Sequence, residues 1–235
     1  MFLELLQNQQ TGRHRPVNWW TMVDIIMASC WMLVYTLVIV STVQTNRPAI
    51  APWFPAIVVP WEIASTLNHI SPEFQFSYPF FVQLSFSVLE LGIVFLIIFR
   101  VKYFKKEIAV FYGVAIIVQV WLYLQFLFKI NSGQLYLSYI VTIIADSLWL
   151  LFLLKHRIIH NRANRAAALA KLIADALGWI CYHNMGGIAL EFMAHITVFI
   201  DIAYIIVYEY QREYPDGKDD RASKMKRGEG QTDAS

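Results

Sequence analysis

Seven apolar segments, at about residues 20–43, 50–70, 78–100, 107–128, 133–154, 172–189 and 191–210, leave this chain little polar length from which to build a water-soluble fold. Each is long enough, or nearly so, for the ~20 residues that carry a helix through ~30 Å of hydrocarbon. Their basic flanks set an orientation. If all seven segments cross, three of the nineteen Lys and Arg residues (Arg13, Arg15 and Lys129) fall on the N-terminal side, and the other sixteen fall on the opposite side. Basic connections stay cytoplasmic, so the expected topology is N-terminus out and C-terminus cytoplasmic. Six or eight crossings would scatter the same charges over both faces. The expected fold class is all-α: a polytopic membrane protein, a bundle of seven transmembrane helices.

Composition supports a chain with little outside the bilayer. Apolar residues make up 57% and charged residues 15%, against about 25% charged in soluble domains. The expected organisation is a polar N-terminal segment at 1–19, a seven-helix transmembrane domain at 20–210 and a disordered, charged cytoplasmic tail at 211–235. No cleaved signal peptide is expected, because the first 20 residues have no apolar core. The net charge of +2 does not call for nucleic acid. Cys30 and Cys181 fall inside apolar segments and predict no disulfide framework. The stretch from Lys155 to Lys171 reads as the largest internal loop. Its Ala-rich part around Arg162 and Arg165 is expected to lie as an amphipathic helix on the cytoplasmic surface. The membrane would be the plasma membrane for a bacterial chain and an endoplasmic-reticulum-type membrane for a eukaryotic one.

The second segment carries Pro48, Pro52, Pro55 and Pro60. Proline removes a backbone donor and clashes with the preceding turn. Irregular backbone at membrane depth is tolerated only against protein or a wet cavity. This span is therefore expected to be broken or kinked, with its freed carbonyls facing inward.

Four carboxylates lie deep in the apolar segments: Glu62, Glu90, Asp146 and Asp201. A charge at mid-depth costs at least ~2.5–3.5 kcal/mol, so such residues face the bundle interior and have a role. No Lys or Arg is expected among them. Burial without a countercharge favours the neutral acid, which is a proton donor; an ionised neighbour stabilises positive charge. An isolated acid can also act as a neutral hydrogen-bonding clamp between helices. Asp24 and Asp175 read as solvated helix-end residues.

Helical spacing places other polar groups beside these acids. Gln83 and Ser87 share a face with Glu90; Tyr139, Thr142 and Trp149 with Asp146; Thr197, Tyr204 and Tyr208 with Asp201; and Ser65, Thr66 and His69 with Glu62. The four stripes are expected to converge on one cavity, its outer half marked by His69, His183 and His195. Trp61, Trp149, Trp179, Tyr139 and Tyr204 neighbour these polar positions, and ring faces attract cations. Such a cavity suits a greasy substrate that becomes transiently cationic. No metal is expected: His183, His195 and Glu191 lack the H-x-x-x-H spacing of a zinc helix.

Together, a proline-rich second span ending in Trp61-Glu62, an acidic third span with Glu90, a Lys171–Gly178 start to the sixth span and Asp201-Ile-Ala-Tyr204 in the last span are similar to the small integral-membrane terpene cyclases. These are the seven-span enzymes of fungal meroterpenoid and indole-diterpene pathways, with bacterial relatives. The resemblance covers about residues 20–210 as pattern rather than close identity. It implies that Glu62 and Asp201 are the catalytic pair, and that a prenyl-chain epoxide or alkene is protonated and cyclised through a carbocation, with no metal or other cofactor. Trp61, Glu90, Asp146, Trp149, Tyr139 and Tyr204 are the expected substrate-binding residues, and a hydrophobic prenylated small molecule and the lipid bilayer are the expected partners. Pro60 stands before Trp61 where the family pattern has a small or polar segment with Asn, and Glu90 stands where it has Asp.

The competing reading is a proton-coupled small-solute transporter, since broken helices and mid-depth acids also mark transporters. Against it, the chain has no Pro-Gln pair and no repeat between its halves. A retinal-binding receptor would need a lysine in the last span, and residues 191–210 have none.

Overall fold

The computed structural model describes residues 19–68, 78–101, 106–127, 134–155, 161–182 and 187–213. Among them every regular element is helical: α1 (Trp19–Thr45), α2 (Phe54–Asn68), α3 (Tyr78–Phe95), α4 (Lys106–Leu127), α5 (Gln134–Lys155), α6 (Arg162–Tyr182) and α7 (Gly187–Glu213). A π-helical turn, Leu96–Arg100, prolongs α3. Four stretches are long and apolar enough to cross a membrane: Met22–Thr45, Phe80–Arg100, Leu137–Lys155 and Ile188–Glu213. The outer surface carries large apolar side chains such as Ile117, Phe192, Phe199 and Ile206, while carboxylates are buried inside. That is the reverse of what water selects, and it supports an integral membrane protein.

Six helices close a ring. α1 packs on α6, α6 on α7, α7 on α5, α5 on α2, α2 on α3, and α3 back on α1. α4 packs on α2 from outside the ring. Its exposed Val110, Val114, Ile117 and Trp121 form an apolar flank.

α2 shows what its prolines do. Pro48 and Pro52 precede the helix, Pro55 lies in its first turn, and Pro60 is its interior proline. Only 15 residues are helical, about 22 Å at 1.5 Å per residue. The irregular stretch before it is packed inside the protein, with Ala49, Ile50 and Ala51 buried. Pro60 has no N–H to give the carbonyl one turn back, that of Ala56. Gln119 Nε2 on α4 donates to that oxygen instead, at 3.1 Å. Tyr112 on α4 donates its hydroxyl to the Pro52 carbonyl at 2.8 Å. The carbonyl freed by Pro60 thus meets a donor from α4, outside the ring, and does not face the interior as expected.

α6 departs from expectation. The sixth segment was expected at about 172–189, after a surface loop; the helix begins ten residues earlier. Asn161 caps it, accepting the Asn164 N–H on Oδ1 at 2.7 Å, the usual N-cap arrangement. The same residue donates to Ser41 Oγ at 2.7 Å and receives the Tyr208 hydroxyl on its carbonyl at 3.0 Å. Ala163, Ala166, Ala167, Ala168 and Ala170 follow, and alanine is the strongest helix former. Ala167, Ala168 and Ala170 are buried, so this stretch belongs to the bundle rather than to a surface helix. Ala170, Ala174 and Gly178 recur every fourth residue and let α1 approach closely; a Cβ on Gly178 would sit 3.5 Å from Met27 Sδ.

Candidate functional site

The shift of α6 carries Lys171 from a loop to the interior, where it is 2% exposed. Its Nζ lies 2.9 Å from Asp146 Oδ2 on α5, 2.8 Å from Asp175 Oδ2 one turn along α6, and 2.5 Å from Asp201 Oδ1 on α7. The Trp31 ring of α1 stands 5.5 Å from the same nitrogen. One ammonium therefore joins four helices. This corrects two expectations. A lysine is buried among the acids, and Asp175 is an interior ion-pair partner rather than a solvated helix-end residue. Three carboxylate oxygens of Asp146, Asp175 and Asp201 lie within 4.8 Å of one another, a spacing that could hold a metal ion. The Lys171 ammonium supplies the positive charge at that place. Removing one partner of such a buried set is costly, because the others are left charged and unpaired.

Beside this cage lies a cavity of about 210 Å³. Its wall comes from α1 (Trp31, Tyr35), α2 (Trp61, Glu62), α3 (Gln83, Phe86), α5 (Tyr139, Asp146) and α6 (Asp175, Gly178), among others. Glu62 is buried, and its Oε2 has no hydrogen-bond partner in the described structure. Next to it, the Thr66 and Ser87 hydroxyls share a hydrogen bond at 3.0 Å, joining α2 to α3.

The structure thus brings Glu62, Trp61, Tyr139 and Asp146 to one cavity wall. The other expected site residues stand one or two side chains back. Asp201 meets Lys171, which in turn meets the wall residues Asp146 and Asp175. Trp149 meets the wall residue Phe54, ring to ring at 5.7 Å, and Tyr204 lies against Trp149 at 5.1 Å. Glu90 is 1% exposed, and its carboxyl interacts with Glu62 and with the Tyr35 hydroxyl. His69 and His183 lie outside the described residues. His195 packs on Trp179 at 4.8 Å and bonds the Glu191 carbonyl at 2.7 Å, within its own helix.

Sequence reasoning missed Lys171, Asp175, Trp31 and Tyr35. The signal for the first two was present: Lys171 and Asp175 are spaced i, i+4, the spacing of a helical ion pair, within a run of small and apolar residues. Trp31 and Tyr35 share that spacing but look like any aromatic pair in a span. Set against known proteins, the chain matches no protein-family model, no curated protein and no solved structure.

Proposed function

We propose that the protein is a membrane terpene cyclase, a metal-independent isomerising enzyme that works by acid and base. The observation that carries this reading is the Glu62 carboxyl: buried, with one oxygen unpartnered, at the wall of an aromatic cavity inside a helical ring. In this reading Glu62 delivers a proton to a prenyl-chain epoxide oxygen or alkene carbon. The resulting carbocation is attacked by successive double bonds, while Trp31, Tyr35 and Trp61 turn ring faces toward it. A carboxylate of the Lys171 cage takes the final proton. Asp146 faces the cavity and Asp201 completes the cage from behind. Proton gained and proton lost balance, so the product is an isomer of the substrate. A cavity of 210 Å³ is below the ~300–1,000 Å³ of common ligand pockets, which fits the reacting end of a prenyl chain rather than the whole of it. The proposal includes seven crossings, with the N-terminus outside.

The test is mass spectrometry of membranes containing the protein, fed prenylated acceptors with and without terminal epoxides. Wild type should yield a product of unchanged mass and new retention; Glu62→Gln and Asp201→Asn should yield none. Substrate recovered intact throughout would sink the cyclase. One observation favours the second reading, a proton-coupled transporter: the Lys171 cage ties α5, α6 and α7 through charge, and charged networks of this kind line proton pathways. Its signature is pH-driven solute flux in proteoliposomes with no covalent change.

A further inference from the structure

The same cavity has an electrostatic character that stands apart from turnover. Glu62 Oε2 on α2, Gln83 Oε1 on α3 and Asp146 Oδ1 on α5 are buried, lack hydrogen-bond partners in the described structure, and belong to residues of one cavity wall. Gln83 Oε1 and Asp146 Oδ1 are acceptors, and Glu62 Oε2 is one once its carboxyl has given up its proton. A buried acceptor without a donor is costly, and more so when it is charged. Their surroundings are short of positive charge: Asp146, Asp175 and Asp201 share the single Lys171 ammonium, and Glu62 has Glu90, another acid, as its neighbour. Much of the remaining wall is apolar and aromatic, with Trp31, Tyr35, Phe54, Trp61 and Phe86 beside the Ser138 and Thr142 hydroxyls. One of these rings, Trp31, already has a cation nearby in the Lys171 ammonium, 5.5 Å from its centroid.

Unpaired acceptors set among ring faces select a positive, weakly hydrated occupant. A metal ion would want several hard oxygen ligands at close range, whereas most of this wall is carbon. A neutral lipid tail would leave the carboxylates unanswered. We propose that the cavity is a binding site for a small organic ammonium ion, its head group held between Glu62 and Asp146 and walled by Trp31, Tyr35 and Trp61. The volume of about 210 Å³ suits a quaternary head with a short arm. The proposal uses the cavity of the cyclase reading without depending on catalysis. Where both hold, the ammonium occupies the place of the carbocation and competes with substrate.

The experiment compares choline with neohexyl alcohol, its neutral isostere in which carbon replaces nitrogen. Binding is followed by calorimetry and tryptophan fluorescence on the full chain purified in nanodiscs. Choline should bind about tenfold or more tightly than the alcohol. Glu62→Gln keeps the size of the side chain and cannot ionise to answer a cation, and should abolish that preference. Trp61→Leu should reduce it. Retained binding of the alcohol in both variants reports an intact cavity. Equal affinity for the two probes, no choline binding at all, or a preference unchanged in Glu62→Gln would each overturn the proposal. Choline preference without any cyclised product would count against the cyclase alone, and product without choline preference against the ammonium site alone.

Discussion

Lys171 is the residue on which the interior depends. It meets Asp146, Asp175 and Asp201, each from a different position in the bundle. Lys171→Met keeps most of the length of the side chain and removes the charge, leaving three buried carboxylates without their cation. Breaking a buried ion pair in this way costs about 3–5 kcal/mol. The expected outcome is a large drop in the thermal unfolding temperature in detergent, with part of it recovered when Asp146→Asn and Asp201→Asn are added. Wild-type unfolding in Lys171→Met would show that the cage does not hold the helices. If the proposed cyclase reading holds, Glu62→Gln should behave in the opposite way, losing product formation with little loss of stability, since its Oε2 has no partner to lose. The four deep acids were legible from their cost in hydrocarbon alone. Their countercharge was not, because a lysine beside a basic loop reads as part of that loop until the helix boundary is known.

At the scale of the element, α2 and α6 teach different things. Four prolines announced an interrupted span, and the structure has a short helix preceded by packed irregular backbone. What the prolines could not announce is which neighbour answers the freed carbonyls; that depends on α4 standing beside α2. Gln119 answers Ala56 across 3.1 Å. Gln119→Leu should therefore cost about 1–3 kcal/mol, the usual penalty of a buried polar group left unpaired. In a Pro60→Ala background the helix regains its own donor, and Gln119→Leu should then cost little. A double-mutant cycle read by thermal unfolding measures the difference. A cycle with no coupling would mean that Gln119 and Pro60 act independently. α6 was misplaced for another reason. Its first ten residues contain Arg162, Arg165 and Lys171, so hydropathy rejects them, while the Asn161 cap and the alanine run favour helix. Hydropathy measures affinity for lipid. Much of this helix faces α1 and the cage rather than lipid, with Ala167, Ala168, Lys171 and Ala174 all buried.

At the scale of the whole molecule, the ring explains why polar stripes on separate segments could converge. Stripes on α2, α3 and α5 share one cavity because those helices sit on one closed circuit, and Asp201 on α7 meets Lys171, the partner of the wall residue Asp146. Closure also bears on topology. Lys171 leaves the cytoplasmic side of the charge asymmetry, since it is inside the protein, but Arg162 and Arg165 at the start of α6 remain. Arg100 also stays at its helix end, donating to the Val43 carbonyl near the end of α1 at 3.2 Å. The ends of α1 and α3 and the start of α6 thus gather basic residues on one face of the bundle. In the proposed seven-span topology this face is the cytoplasmic one, by the retention of basic residues on that side. An N-terminal tag should accordingly be cut by protease added outside intact cells, and a C-terminal tag only after lysis. Both tags accessible from one side would require an even number of crossings. The short helix α2 is where such a failure would arise, because in the proposed topology its 15 helical residues would span the bilayer only with the help of the buried stretch at Ala49–Ala51.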